Sequence, residues 1–299
     1  MKNHYECECC PDEDIFEGQT YLYIRTHPDD NGIEPRPSDM LCAVSPDIII
    51  IKPDGTRGDE GVAGERNHIE VIVTNGGGIP ANDAFVEVFY GGPTTGFVAT
   101  LAQMIGSQYV TVQGYSTSSI RIPWVPTETG HLCLTARVSL VSPPDMYRYP
   151  DQFDIPRDRH LAQRNIHIIE LKQESSFTFD FDLVNPTIEN NGELLLEVQF
   201  INVSDKEDII NRALGSHFAH FSDRLFGNIN LTVNGQEPHR RDSGVYSVYV
   251  PKDKPQKARI FVEKSIDTNE KCDKLHLLEV RLLEYNRRVI GGMWIVINE

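Results

Sequence analysis

Polar and apolar positions alternate along residues 68–74, so that Ile69, Val71 and Val73 fall on one face, the pattern of a half-buried strand. The alternation breaks at Asn75-Gly76-Gly77-Gly78, resumes over residues 84–90 and stops at Gly91-Gly92-Pro93. Upstream, the β-branched run Ile48-Ile49-Ile50-Ile51 closes on Lys52-Pro53-Asp54-Gly55, with Pro and Gly where turn geometry asks for them. Further strands are predicted over residues 109–112, 119–123 and 132–141, and then over 176–183, 194–203, 228–233, 244–250, 258–264, 275–283 and 292–297. One segment has a different period. Ile210, Leu214, Phe218, Phe221 and Leu225 recur every three or four residues, an amphipathic stripe that predicts a helix over about 206–226. Ser204 and Asp205 supply its N-cap, Gly227 its stop, and Gly215 a point of weakness. A helix set between sandwich strands is expected to cover an open end or an edge strand.

Short strands punctuated by turn signals predict an all-β protein of two immunoglobulin-like antiparallel β-sandwich domains, the second with one helical insertion. With 299 residues the chain has room for both. The expected division is a Cys- and acid-rich arm with a Pro-rich linker or irregular lid at 1–45, a first sandwich at 46–171 and a second at 172–299. Within 1–45, Tyr21-Leu22-Tyr23-Ile24 is a short strand candidate ahead of the proline-rich stretch.

Several stretches of 46–171 carry a resemblance. Ser45-Pro46-Asp47-Ile48 opens a strand, Glu70-Val71-Ile72-Val73-Thr74-Asn75-Gly76-Gly77 ends one, and Ala84-Phe85-Val86-Glu87-Val88-Phe89-Tyr90 forms the next. Trp124-Val125-Pro126, residues 130–138 and residues 158–166 follow in place. Together they resemble the CARDB-type immunoglobulin-like domain over about two fifths of the chain. That resemblance implies an adhesive, cell-surface or assembly module, and it implies no reaction. The stretch 143–156 departs from the pattern as a long insertion with Tyr147, Tyr149 and Phe153 between prolines. These aromatics are candidates for an interface, the alternative being that they fold back onto the sheet.

Charge narrows the partners. The 28 Lys and Arg against 44 Asp and Glu leave a formal net charge of -16, so the average surface repels phosphate backbones and anionic lipid, and nucleic acid is not an expected partner. The opening residues lack the apolar stretch of a signal peptide, and no apolar run is long enough to span a bilayer. A cytoplasmic protein, or one released as part of an assembly, is therefore expected. The six cysteines are scattered and do not form a disulfide framework. The sequons at Asn202 and Asn230 carry little weight without a secretory context.

The sequence has no phosphate loop, dinucleotide fingerprint, nucleophile elbow or His-Glu-x-x-His. His4, Cys7, Cys9 and Cys10 are soft ligands, but adjacent Cys9 and Cys10 suit a tetrahedral zinc site poorly. His217 and His220, with Asp223, read as polar flanks of the helical stripe, and Cys133, two residues after His131, as a core residue packed on Trp124. Asp29-Asp30-Asn31-Gly32 is oxygen-rich, yet Met40 stands where a calcium loop needs Glu. Arg57-Gly58-Asp59 reads as turn chemistry. No cofactor is implied and no residue is assigned to catalysis. The expected function is a non-enzymatic structural or binding module mediating protein–protein assembly, possible partners being the other proteins of a multi-subunit complex. Its alternatives are a subunit of a phage-tail-like or contractile injection particle, an adhesive glycan- or protein-binding module, and an enzyme accessory domain.

Overall fold

The computed structural model describes residues 16–97, 102–127, 132–171, 174–186, 192–202, 207–214, 227–252, 254–264 and 275–298. Its first nine strands are β1 (Leu22–Tyr23), β2 (Ile48–Ile51), β3 (Arg57–Gly58), β4 (Asn67–Asn75), β5 (Ala81–Gly91), β6 (Gln103–Val112), β7 (Ser116–Trp124), β8 (Cys133–Ser139) and β9 (Leu161–Arg164). The alternation in β4 makes it the centre of one sheet. It takes β7 along one edge, and β1 and β2 end to end along the other, with β3 beyond β2. The facing sheet runs β6-β5-β8-β9. Ile48, Ile50, Ile69, Val71 and Val73 meet Val86, Val88, Ala136 and Val138 between the sheets, all of them buried. Burial of such β-branched side chains stabilises each by roughly 1.5–3 kcal/mol.

Residues 16–45, expected as arm and linker, are woven into this sandwich from residue 16 onward. Leu22 and Ile24 lie in its core, and Asn75 Oδ1 accepts the Tyr21 and Gly77 amides where β1 meets β4. Gly77 is glycine because a Cβ there would sit 2.1 Å from the Gln19 carbonyl oxygen. Arg36, only 1% exposed, pairs with Asp30 and donates to the carbonyls of Ile24, Ile155, Asp158, Arg159 and Leu161. Each buried donor thereby has an acceptor, which a buried guanidinium requires.

The remaining elements are β10 (Ile166–Glu170), β11 (Ser176–Leu183), β12 (Glu193–Phe200), the helix α1 (Glu207–Leu214), β13 (Gly227–Val233), β14 (His239–Asp242), β15 (Val245–Tyr249), β16 (Gln256–Lys264), β17 (Leu275–Leu283) and β18 (Val289–Asn298). They form a six-stranded sheet, β10-β18-β17-β12-β15-β14, facing a three-stranded sheet, β11-β16-β13. All ladders are antiparallel except β10 on β18, which is parallel. Alternate Phe177, Phe179 and Phe181 of β11 pack across this core on strands such as β12 and β17.

Of the predicted helix, residues 207–214 are helical, and its positions 215–226 lie outside the described residues. In the described part of the helix, Ile210, Ala213 and Leu214 pack in a second apolar cluster with Leu195, Val245, Leu277 and Trp294, on the face of the six-stranded sheet away from its own sandwich core, and Ile166 and Ile168 of β10 share that cluster. Leu41, Ala43 and Val44 join that cluster, so the N-terminal segment touches both sandwiches.

The two sandwiches meet with one residue between their strands, since β9 ends at Arg164 and β10 begins at Ile166. Asn165 ties the junction. Its amide donates to Ala43 O and its carbonyl accepts from Trp294 N. Its Nδ2 donates to Thr94 O at 2.6 Å and to Gly292 O at 2.7 Å. Thr94 also bridges to Asp182, and Thr95 Oγ1 accepts from Val184 N.

Candidate functional site

The insertion divides its three aromatics. Phe153 is 1% exposed and packs against Phe89 and Phe97 at 5.2 and 6.2 Å between ring centroids, so it is not a surface residue. Cys42, Cys133, Ile155 and Leu161 complete that apolar cluster, which gives the ring a dry place to lie. Tyr147 lies over the Arg137 guanidinium at 4.5 Å, half-buried, and Tyr149 is 47% exposed. Arg137 is fixed beneath Tyr147 by both Glu87 oxygens, at 2.5 and 3.0 Å, and by Pro150 O.

Arg137 and Glu87 belong to the outer face of the β6-β5-β8-β9 sheet. Two residues along β5 on the same face, Phe85 stands opposite Tyr109 of β6, the rings 5.0 Å apart. Tyr109 is 64% exposed, and Met104 on β6, Val141 just after β8 and Met146 on the insertion are exposed as well. The sequence reading began this strand at residue 109 and missed Tyr109 as a surface group. A signal was present, since β6 contains no charged residue and no proline in ten positions.

A buried charged cluster lies where the insertion meets the N-terminal segment. His160 Nδ1 and Nε2 each lie 2.8 Å from a carboxylate oxygen, of Asp158 and Asp145 respectively. A neutral imidazole has one N–H, so two carboxylate acceptors call for the imidazolium. Burial acts to lower the His160 pKa, and the hydrogen bonds to Asp145 and Asp158 overcome it and raise the value. Asp158 responds in the complementary sense: burial acts upward, but the His160 contact and backbone amides hold its carboxyl below the usual range. Asp145 also accepts Leu22 N at 2.6 Å and the Arg159 guanidinium at 2.5 Å, and Glu34 accepts Arg159 and Arg148. Ligand atoms of Glu34, Asp158 and His160 come within 4.8 Å of one another. The donor set does not fit a metal, because two guanidinium groups and the protonated imidazole already occupy those oxygens.

Cys133 does not pack on Trp124. β7 and β8 lie in opposite sheets, and Cys133 Sγ faces the junction, 2.5 Å from Asn165 Oδ1, which also meets His167 Nε2 at 2.7 Å. Burial pushes the Cys133 thiol up to about 12, which removes the thiolate a nucleophile needs at neutral pH. Arg57-Gly58-Asp59 is engaged internally, Arg57 on Glu70 and Asp59 on Arg164. In Asp29-Asp30-Asn31-Gly32, Asp30 is buried on Arg36 and Asp29 pairs with Arg212. His4, Cys7, Cys9, Cys10, His131, His217, His220 and Asp223 lie outside the described residues.

A cleft of about 560 Å³ opens between the sandwiches. Ile49, Lys52 and Arg57 form one wall, Ala213, Leu214 and Arg212 of α1 another, and Ile168 and Glu170 of β10 a third. Arg164 lines it too, held by Asp59, Ser45 O and Ala213 O.

No family model matches the chain, and no curated protein matches it. Among solved structures the CARDB-type resemblance is met: the chain is similar to the CARDB domain of a Pyrococcus furiosus protein, crystallised in complex with di-metal ions, at 17% identity over 35% of this chain and 79% of that one, with a TM-score of 0.25. It is also similar to the collagen adhesin of S. aureus, at 7% identity over 87% of this chain and 95% of that one, with a TM-score of 0.23. A third likeness is to CfaE, the adhesive subunit of the CFA/I fimbria of enterotoxigenic Escherichia coli, at 7% identity over 94% and 93% of the two chains, with a TM-score of 0.28.

Proposed function

We propose that the protein is a non-enzymatic binding module that takes part in protein–protein assembly through the outer face of the β6-β5-β8-β9 sheet. The observation that carries this reading is exposed Tyr109 packed on half-buried Phe85, and half-buried Tyr147 stacked on the Arg137 that Glu87 holds, with exposed Tyr149 two residues further along the insertion. Aromatics that stay exposed on a stiff surface lose little conformational freedom on binding, which is why they anchor interfaces. The clusters with catalytic residue types argue the same way. The Cys133 thiol is buried and protonated, and His160 has both ring nitrogens committed to carboxylates.

The test is a tagged chain purified from its own source cells beside the Tyr109→Ala, Tyr149→Ala double variant. Stoichiometric co-purification of another protein with the wild type is expected, falling at least tenfold with the variant while its melting temperature is unchanged. A chain that purifies alone, or a complex indifferent to the double variant, contradicts the proposal.

A further inference from the structure

The cleft between the sandwiches holds a second feature, independent of the aromatic face. Among the described residues, β10 is the edge of the six-stranded sheet and pairs on one side only, with β18. In that parallel ladder Ile166, Ile168 and Glu170 stand opposite Trp294, Val296 and Asn298. Trp294 N donates to Asn165 O, and Leu171 N donates to Asn298 O. In a parallel ladder, alternate residues direct both backbone groups to the same neighbour. The odd-numbered residues 165–171 therefore face β18, and the N–H and C=O of Ile166, Ile168 and Glu170 point away from it. Ile168 and Glu170 line the cleft. An edge carrying open donors and acceptors is a template for another strand.

Three further observations say what fits there. The walls beside this edge are apolar at Ile49, Ile168 and Leu214, which gives alternate side chains of an added strand somewhere to lie. A volume of about 560 Å³ falls within the range of ligand pockets, roughly 300–1,000 Å³. On the wall of Lys52 and Arg57 the uncommitted charge is positive. Lys52 makes no ion pair among the described residues, and Arg57 spends one nitrogen on Glu70 with its side chain 63% exposed. Among the acids, Asp59 holds Arg164 and Glu60 has a partner within the chain, while Glu170, bonded to the neutral amide of Asn298, keeps its charge on the β10 wall, away from the wall of Lys52 and Arg57.

The geometry points to a peptide-docking cleft in which an extended acidic segment of a partner protein adds as a strand to the free edge of β10. Its backbone pairs with Ile168 and Glu170, its apolar side chains lie on Ile49, Ile168 and Leu214, and a carboxylate meets Lys52 and Arg57. The cleft is separate from the aromatic face, so either site can fail without the other.

Fluorescence anisotropy on the full chain tests this with three labelled ten-residue probes. One alternates valine with glutamate, one alternates valine with lysine, and one is the glutamate peptide N-methylated at alternate residues. The glutamate peptide should bind saturably and at least tenfold more tightly than the lysine peptide, and N-methylation along its pairing edge should cost at least tenfold. Ile168→Pro removes an outward amide without touching the β18 ladder and should weaken binding by a similar factor, as should Lys52→Glu. Tyr109→Ala with Tyr149→Ala should leave it unchanged. Absence of saturable binding by the glutamate peptide overturns the proposal. So does binding that tolerates both N-methylation and Lys52→Glu, a result that stands even where Ile168→Pro does not fold.

Discussion

Replacing Asn165 with alanine should loosen the junction between the two sandwiches more than any surface change. The Asn165 side chain serves Thr94 O, Gly292 O, Cys133 Sγ and His167 Nε2, all of them in buried surroundings. Alanine leaves two carbonyls and an imidazole N–H without these partners, and an orphaned buried polar group costs ~1–3 kcal/mol. Thr94 O keeps the Cys133 thiol at 3.6 Å, and the Asn165 backbone keeps its bonds to Ala43 and Trp294. The expected loss is therefore about 3–5 kcal/mol, toward the lower half of what three such groups allow. At roughly 2–4 °C per kcal/mol for a chain of this order of size, the melting temperature should fall by roughly 6–20 °C. Calorimetry and urea titration read both numbers, and a split of one transition into two would show the sandwiches uncoupling. Asn298→Ala, which removes a surface contact with Glu170, is the control and should stay within about 0.5 kcal/mol. A loss below ~1 kcal/mol for Asn165→Ala would refute the reasoning, because the backbone bridges alone would then suffice to hold the junction.

Three further outcomes follow from the buried groups. Because the His160 pKa is raised in the folded state, its contribution to stability should be complete below the unfolded value of about 6.5 and fade as pH rises through the folded value. Urea midpoints of wild type and His160→Gln should converge with rising pH, and a constant gap would contradict the charged clamp. Phe153→Ala should cost about 3–5 kcal/mol as a core truncation, whereas Tyr149→Ala should stay within about 0.5 kcal/mol; equal costs in urea titration would place the two rings wrongly. Native Cys133 should resist iodoacetamide at pH 8 and react only on unfolding, as followed by mass spectrometry, and rapid native labelling would contradict its burial.

The strands at the sandwich centres were legible because their neighbours demand alternation. Ile69, Val71 and Val73 face one core and leave the intervening positions less buried, so period two appears in the sequence itself. β6 was half-read because its ladder with β5 shifts register near Met104, which interrupts the alternation, and because most of its side chains are exposed. Residues 16–45 read as linker because much of what holds them is long-range: Leu22 pairs with Asn75, and Arg36 finds four of its acceptors, the carbonyls of Ile155, Asp158, Arg159 and Leu161, more than a hundred residues away. Cys133 was placed against Trp124 by nearness in sequence, whereas consecutive strands β7 and β8 belong to opposite sheets. Nothing local marks Asn165 as the tie between sandwiches, or β10 as a parallel edge, since both depend on β18 arriving from the end of the chain. Of the candidate interface residues, Tyr147 and Tyr149 lie at the surface face and Phe153 in the core beneath it. Composition cannot separate them, because a proline-bounded aromatic loop supplies rings to both sides.

The most direct test of the binding face is hydroxyl-radical footprinting of the chain in complex with the protein that co-purifies with it, against the chain alone. Protection should concentrate on Tyr109, Tyr149, Met104 and Met146 and spare the equally exposed Tyr249 and Tyr285 of the second sandwich. Protection of Tyr249 and Tyr285 with Tyr109 and Tyr149 left open, or no protection at any of them, would contradict assembly through the β6-β5-β8-β9 face.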